Sequence, residues 1–207
     1  MSREWRALAM ALAMALAVTV ALNVAGCGGG EDTTSPPAET SQPLPKLPQG
    51  WQVHRDPAIG YAIGIPRHWQ VSRSNEAGVE ASLIRSADHL VAVTVVAARD
   101  SEALDVPLDE FATAALAALP GFDSQLEPSD PRQFQGTPFD AVSTTATGTT
   151  KARGIKERTT LLVLRREDVV NYTAAIVENA RQKKSVKDRA LALEMMRTLR
   201  DLPPESQ

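Results

Sequence analysis

The chain has 207 residues, with 22 Lys and Arg against 25 Asp and Glu, so its formal net charge is −3. That mildly acidic balance argues against a general nucleic-acid binder, which carries a basic surface. A single cysteine excludes a disulfide within the chain, and the length suits one domain of ordinary size.

The first segment of the chain predicts a secretory signal. A mildly basic opening is followed by the apolar run Ala7–Val24 and a small-residue exit, which is the pattern of a leader that a peptidase removes. The sequence Val24-Ala25-Gly26-Cys27 resembles the bacterial lipobox. That resemblance implies a diacylglycerol on the sulfur of Cys27 and cleavage between Gly26 and Cys27. We therefore expect residues 1–26 to be a lipoprotein signal peptide; an ordinary buried cysteine is the alternative.

The segment after the cysteine predicts a tether. Glu31–Gln49 is rich in Pro, Ser and Thr and almost lacks apolar residues, so it cannot bury enough surface to offset chain entropy. We assign residues 27–49 to the lipidated cysteine and a disordered tether, 50–203 to one folded domain and 204–207 to a tail. Two or three acyl chains, at ~0.8 kcal/mol per buried methylene, would hold the protein on the extracytoplasmic face of a cell membrane.

The domain shows strand patterns interrupted by two helices. Leu90–Ala98 is apolar on both faces, which is typical of a strand covered on both sides. Pro107–Leu119 predicts one helix, and Ser185–Asp201 predicts a second that begins with a Ser185…Asp188 capping box. This order predicts an α+β fold in which helices flank a mostly antiparallel sheet. Further strands are predicted at 51–54, 61–65, 69–73, 80–85, 139–147, 157–165 and 169–177, with an edge segment at 125–133.

The start of the domain carries a resemblance to a known family. Gly60–Trp69 reads G-aromatic-x-φ-x-φ-P-x-x-W, where φ is apolar, and Pro107–Phe111, Gly136–Asp140 and Met195–Arg200 follow in order. This arrangement resembles the PsbP fold and its relatives among the LpqN-like lipoproteins of actinobacteria, although Gly136-Thr137-Pro138-Phe139 departs from the commoner G-x-P-A. The resemblance implies an α-β-α sandwich that acts as a binding or assembly module and is linked to cell-envelope lipids and partners.

No motif in the chain assigns a catalytic residue, a metal ligand or a cofactor. A serine-hydrolase elbow is missing, and Cys27 is used by the anchor. His54 and Asp56 would approach His68 if the first two strands pair, which leaves a metal-responsive module as one alternative. The other alternative is a divergent secreted hydrolase that uses carboxylates from outside a motif.

Two features are candidates for binding. Trp51, Tyr61 and Trp69 cluster near the start of a domain that is poor in aromatic residues; they would line a ligand groove or pack in the core. Cations at Arg165-Arg166 and between Arg181 and Arg189 would face anionic lipid headgroups or form a solvated helix face. The sequence thus predicts a non-catalytic membrane-anchored lipoprotein that binds an envelope lipid or a protein partner, without nucleic acid.

Overall fold

The computed structural model describes residues 43–76, 79–99, 101–152, 154–166 and 169–202. The predicted signal peptide, Gly26 and Cys27 lie outside these residues. The elements in chain order are β1 (Trp51–Asp56), β2 (Tyr61–Pro66), β3 (Gln70–Glu76), β4 (Val79–Arg85), β5 (Val91–Ala98), α1 (Ser101–Leu104), α2 (Leu108–Ala117), β6 (Arg132–Gln133), β7 (Asp140–Thr149), β8 (Lys156–Arg166), β9 (Val170–Asn179), α3 (Lys183–Arg197) and β10 (Arg200–Asp201).

A large antiparallel sheet forms the centre of the domain. Its seven strands have the order β3-β4-β5-β9-β8-β7-β6, and a smaller sheet has the order β1-β2-β10. Strand runs separated by two helices therefore give the predicted α+β fold with mostly antiparallel pairing, and that prediction is confirmed. Among the described residues, no helix is both long and apolar enough to cross a membrane.

The large sheet is covered on both faces, which explains its long apolar strands. Successive side chains alternate between faces, so Leu162 and Leu164 pack under the small sheet and α3, whereas Leu161 and Val163 pack under α2. The predicted two-sided burial of β5 is confirmed in the same way, because Val93 belongs to the first core cluster and Val96 to the second. The two clusters share the large sheet as their common layer.

The chain before β1 contacts the small sheet. Leu47 lies against Gly64, which has no side chain to obstruct it. The Pro43 carbonyl accepts a hydrogen bond from Arg200 Nε at 3.3 Å. Part of the segment assigned to the tether thus lies on the domain.

The second predicted helix differs from the structure at both ends. The capping box is wrong, because α3 begins at Lys183 with Gln182 as its N-cap, and no side chain caps it. The Ser185 hydroxyl instead donates to the carbonyls of Asn179 (2.9 Å) and Gln182 (2.6 Å), inside the first turn. At the other end, Arg200 and Asp201 leave the helix and pair with β2.

Candidate functional site

A cavity of about 360 Å³ lies where the β2–β3 loop, the β4–β5 turn and the first half of α3 meet. We call it the Trp69 pocket. Trp69, Ala87 and Leu191 give it an apolar part, and its other side chains are polar or charged. The lining residues are His68 and Trp69 from the loop, Ser86, Ala87 and Asp88 from the turn, and Lys184, Lys187, Asp188 and Leu191 from α3.

Helical periodicity explains the contribution of α3. The residues Lys184, Lys187, Asp188 and Leu191 follow the spacing i, i+3, i+4 and i+7, so they share one face of the helix. Trp69 approaches from the opposite side. Its backbone N–H donates to the Pro66 carbonyl at 2.9 Å, which turns the chain directly after β2 and leaves the side chain only 4% exposed.

The β4–β5 turn holds the carboxylate of Asp88 in a fixed position. Oδ1 of Asp88 accepts hydrogen bonds from the Ser86 hydroxyl at 2.8 Å and from the Leu90 N–H at 3.3 Å. The Ser86 oxygen itself accepts from the Val91 N–H at 3.1 Å. His89 takes a left-handed conformation with φ of 57°, which closes this tight turn. Because Oδ1 is used by the turn, Oδ2 remains for a partner on α3.

That partner is Lys184, whose Nζ lies 2.5 Å from Oδ2 of Asp88. The lysine holds the pKa of Asp88 well below its usual range, and the carboxylate raises the pKa of Lys184 in return. Burial raises the pKa of Asp188, and the neighbouring Asp88 carboxylate raises it further. Two carboxyl groups with opposite pKa shifts therefore line one cavity, which is a feature of functional sites more often than of plain surfaces.

The pocket balances its charges and keeps an apolar wall. The lining contains two lysines, Lys184 and Lys187, and two acidic residues, Asp88 and Asp188. Such a lining offers both donors and acceptors and gives no net preference for a multiply charged anion. Trp69 adds ring surface and an indole N–H that has no hydrogen-bond partner among the described residues. Leaving this buried donor unpaired costs about 1–3 kcal/mol.

The three aromatic residues singled out in the sequence have different environments. Trp69 lines the pocket, Trp51 is half-buried and packs against the core, and Tyr61 is fully buried. Tyr61 stacks edge-on against Tyr172 with ring centroids 6.2 Å apart, and burial raises the pKa of its hydroxyl. Tyr61 is therefore a core residue that separates the small sheet from the large one.

The histidines do not form a common site with Asp56. Strands β1 and β2 pair as the metal alternative requires, with His54 opposite Ile63, but His68 lies beyond the end of β2 in the Trp69 pocket. His54 packs against Tyr61, and burial lowers its pKa. Within the described ranges no group of three His, Cys, Asp or Glu side chains comes together as metal ligands.

Asp56 has a structural role instead. It is fully buried and accepts hydrogen bonds from the Ser82 hydroxyl and, at 3.3 Å, from the Ile59 N–H. Arg73 Nη2 lies 2.9 Å from Oδ1, and Arg73 Nε donates to Oδ2 at 3.2 Å. This network borders a second cavity of about 230 Å³ between the β1–β2 turn and the β3–β4 hairpin. With its oxygens occupied, Asp56 ties the small sheet to the large one.

The basic residues divide into structural and exposed groups. Arg165 donates to Asn171 at 2.8 Å and to the Val106 carbonyl at 2.8 Å, and Arg166 pairs with Asp201, so both hold elements together. Arg189 approaches the buried Glu178 at 3.5 Å. In contrast, Arg181, Lys183, Lys184 and Lys187 are exposed around the start of α3. Of this second group, Lys184 is paired with Asp88, whereas Arg181, Lys183 and Lys187 face solvent without an ion-pair partner in the described part of the chain.

The central carboxylates of the pocket were not found from the sequence. Asp88 carries a weak local signal, because Ser-x-Asp before a valine-rich run is typical of a turn. Asp188 was assigned to helix capping. Nothing local shows that these residues, from elements far apart in the chain, face the same cavity.

No protein-family model matches the chain, and no curated protein matches its sequence. Among solved structures, a crystal structure from Bacteroides thetaiotaomicron VPI-5482 superposes with a TM-score of 0.50 at 10% identity over 77% of this chain. The chain spans about half of that protein, 51% of its length. LpqN, involved in cell envelope biogenesis of Mycobacterium tuberculosis, gives a TM-score of 0.37 at 13% identity, covering 81% of this chain and 86% of LpqN. At 10% identity, the similarity to the protein from Bacteroides thetaiotaomicron concerns the fold alone.

Proposed function

We propose that this chain is a lipid-anchored protein of the bacterial cell envelope whose domain binds an envelope lipid, or a protein partner, without catalysis. The anchor rests on the apolar leader and on Cys27 within Val24-Ala25-Gly26-Cys27. The observation that carries binding is the Trp69 pocket, which combines an apolar wall with balanced charges. An amphipathic ligand fits that lining, because its apolar part covers Trp69 and Leu191 and its polar part meets the lysines and carboxyl groups.

Native mass spectrometry tests the binding proposal directly. Residues 28–207 contain every buried core residue between Ile59 and Leu202, so this part of the chain carries the whole fold. After incubation with an envelope lipid extract, we expect a discrete added mass. Ala87→Trp places a large ring in the exposed turn that lines the pocket and should abolish that mass. Ala58→Trp makes the same change at an exposed position in the second cavity and should leave it unchanged.

The outcomes separate the two kinds of ligand. A clean mass for the wild-type domain would contradict lipid binding and direct the search to a protein partner by crosslinking. An added mass that survives Ala87→Trp would contradict the assignment to the Trp69 pocket.

The anchor is tested separately: Cys27→Ala should leave an uncleaved precursor or a released protein without acyl label. A variant that is still acylated and processed would contradict the role of Cys27.

The second candidate function is a hydrolase, favoured by the opposite pKa shifts of two carboxyl groups in one cavity. In that scheme Asp188, with its raised pKa, donates a proton, and the Asp88 carboxylate, which Lys184 keeps ionised, stabilises positive charge in the transition state. Turnover of generic ester or glycoside substrates that both Asp88→Asn and Asp188→Asn abolish would favour it over pure binding. Turnover that survives both substitutions would come from a contaminant or from another site.

A further inference from the structure

The exposed face of α3 combines cations with an apolar side chain. Lys183, Val186, Lys187 and Ala190 follow the spacing i, i+3, i+4 and i+7, and all four are exposed. Val186 is 58% exposed, more than Val53 at 39% or Val169 at 50%. A valine between two lysines suits a membrane surface, where the lysine stems lie along apolar material while the ammonium groups reach the phosphates.

Further cations extend this face along one end of the large sheet. The Ala180 N–H donates to the Lys156 carbonyl at 3.0 Å, which places Lys156 beside Arg181. Thr149 pairs with Lys156, so Lys151 lies at the same end. We call this surface the basic end; it consists of the exposed residues Lys151, Lys156, Arg181, Lys183, Lys184 and Lys187.

The acids at the basic end do not cancel its charge. Asp188 is buried, Asp88 is paired with Lys184, and Glu157 is half-buried, so Asp123 is the exposed acid near these cations. Arg181, Lys183 and Lys187 have no ion-pair partner in the described part of the chain. The opposite end of the sheet carries the exposed acids Glu80, Asp105, Asp109, Glu110 and Asp140. In the described part of the chain, Lys151, Lys156, Arg181, Lys183 and Lys187 thus give one surface a cluster of exposed cations, although the net charge of the chain is −3.

We infer that the basic end, with Val186 at its centre, docks on the anionic headgroups of the membrane that holds the anchor. This inference rests on the proposed anchor for its choice of partner. From Cys27 to Pro43 the chain spans at most about 55 Å, at ~3.3–3.6 Å per residue, so the domain stays near the surface. A tether of this length gives the domain an effective concentration on the order of millimolar at the membrane, so a weak affinity of the basic end for headgroups is sufficient for docking.

Docking through the basic end also places the mouth of the Trp69 pocket at the membrane surface. Lys187 belongs both to the exposed face of α3 and to the lining of the pocket. A headgroup that contacts Lys187 is therefore next to the pocket mouth. The arrangement gives the pocket direct access to lipid in the same leaflet.

Flotation of residues 28–207 with vesicles tests the inference without the anchor. We expect binding to phosphatidylcholine vesicles that contain phosphatidylglycerol, little binding to pure phosphatidylcholine, and loss of binding at high salt. The triple variant Arg181→Gln, Lys183→Gln, Lys187→Gln should bind ~5-fold more weakly for each charge removed, or roughly 100-fold in total. The matched control Lys46→Gln, Arg55→Gln, Arg132→Gln removes the same charge from exposed positions elsewhere and should change binding little.

The inference would be overturned by equal binding to both kinds of vesicle, by an equal loss in the control variant, or by no binding at all of the wild-type domain. The double variant Arg181→Gln, Lys183→Gln separates docking from the proposed function, because neither residue lines the pocket: flotation should weaken while the added lipid mass in native mass spectrometry stays. If Ala87→Trp abolishes flotation, the vesicles bind through the pocket and the basic end is not the docking surface. If the Cys27→Ala variant is still acylated and processed, the proposed anchor is wrong, but the flotation result stands because that assay uses residues 28–207.

Discussion

One hydroxyl group, that of Thr198, joins α3 to the small sheet. Its Oγ1 accepts a hydrogen bond from the Gly64 N–H at 2.7 Å and donates to the Met195 carbonyl at 2.7 Å. Arg200 pairs with Ala62 in the antiparallel register, so two residues earlier Thr198 stands opposite Gly64. The hydroxyl takes the place that a backbone carbonyl would have if β10 were longer.

Thr198→Val removes this hydroxyl with almost no change in shape. The Gly64 N–H then stays buried without an acceptor, which costs about 1–3 kcal/mol. The Met195 carbonyl keeps the Thr198 N–H at 2.9 Å as a donor, so it adds little to that cost. For a domain of this size, the expected loss corresponds to roughly 3–10 °C in the melting temperature.

Urea unfolding followed by circular dichroism measures the effect. Thr198→Ser keeps the hydroxyl and should retain most of the stability that the valine variant loses. Thr113→Val is the matched control, because Thr113 donates to the Asp109 carbonyl on the exposed side of α2 at 2.8 Å. A valine variant of Thr198 that unfolds like the Thr113 control would refute the assigned role of the hydroxyl.

Three further predictions concern the networks around the pocket and the tether. Arg73→Gln should cost about 3–5 kcal/mol, because it leaves the fully buried Asp56 carboxylate without its cation, whereas Asp56→Ala should cost about 1–3 kcal/mol, because the Ser82 hydroxyl and the Ile59 N–H lose their acceptor while the half-exposed Arg73 is solvated; urea midpoints that fall equally would contradict this asymmetry. Asp188→Asn should stabilise the domain at neutral pH, because the raised pKa of Asp188 makes its ionised form unfavourable. That gain should vanish as the pH falls toward the ordinary Asp pKa of ~3.9, because Asp188 is then protonated in both the folded and the unfolded state. Asp88→Asn should instead destabilise the domain above that pH, because the pKa of Asp88 is lowered by folding. A stability change that does not depend on pH in unfolding titrations would disprove these two pKa shifts. Leu47→Ala should lower the free energy of unfolding by about 1 kcal/mol, less than a fully buried leucine, and no change would mean that the segment before β1 contributes nothing.

The elements of the fold that depend on local pattern were predicted from the sequence. Leu90–Ala98 is apolar at consecutive positions, and only a strand covered on both faces buries such a run. Pro107 before two acids and a prolyl stop after Leu119 bracket α2, which spans Leu108–Ala117. Both predictions work because the determining residues are neighbours in the chain.

The features that depend on distant contacts were not predicted. Leu199 and Leu202 continue the apolar spacing of α3, which extended the predicted helix over Arg200 and Asp201, but β2 offers these two residues an edge, and their backbone pairs there instead. Asp88 and Asp188 are joined through Lys184 only because the β4–β5 turn reaches the first turn of α3. The aromatic cluster shows the same limit: Trp69 lines a cavity and Tyr61 is in the core, although the two are close in sequence.

The faces of α3 connect the fold with both proposals. Ala192, Met195 and Met196 bury one face against the large sheet, and this face anchors the helix. Leu191 and its neighbours on the second face close the Trp69 pocket, while Val186 and the lysines on the third face meet solvent. Because the buried face fixes the helix on the large sheet, the pocket wall and the exposed face keep one orientation relative to each other. Docking of the basic end on a membrane therefore presents the pocket mouth to the same membrane, without a change in the orientation of α3.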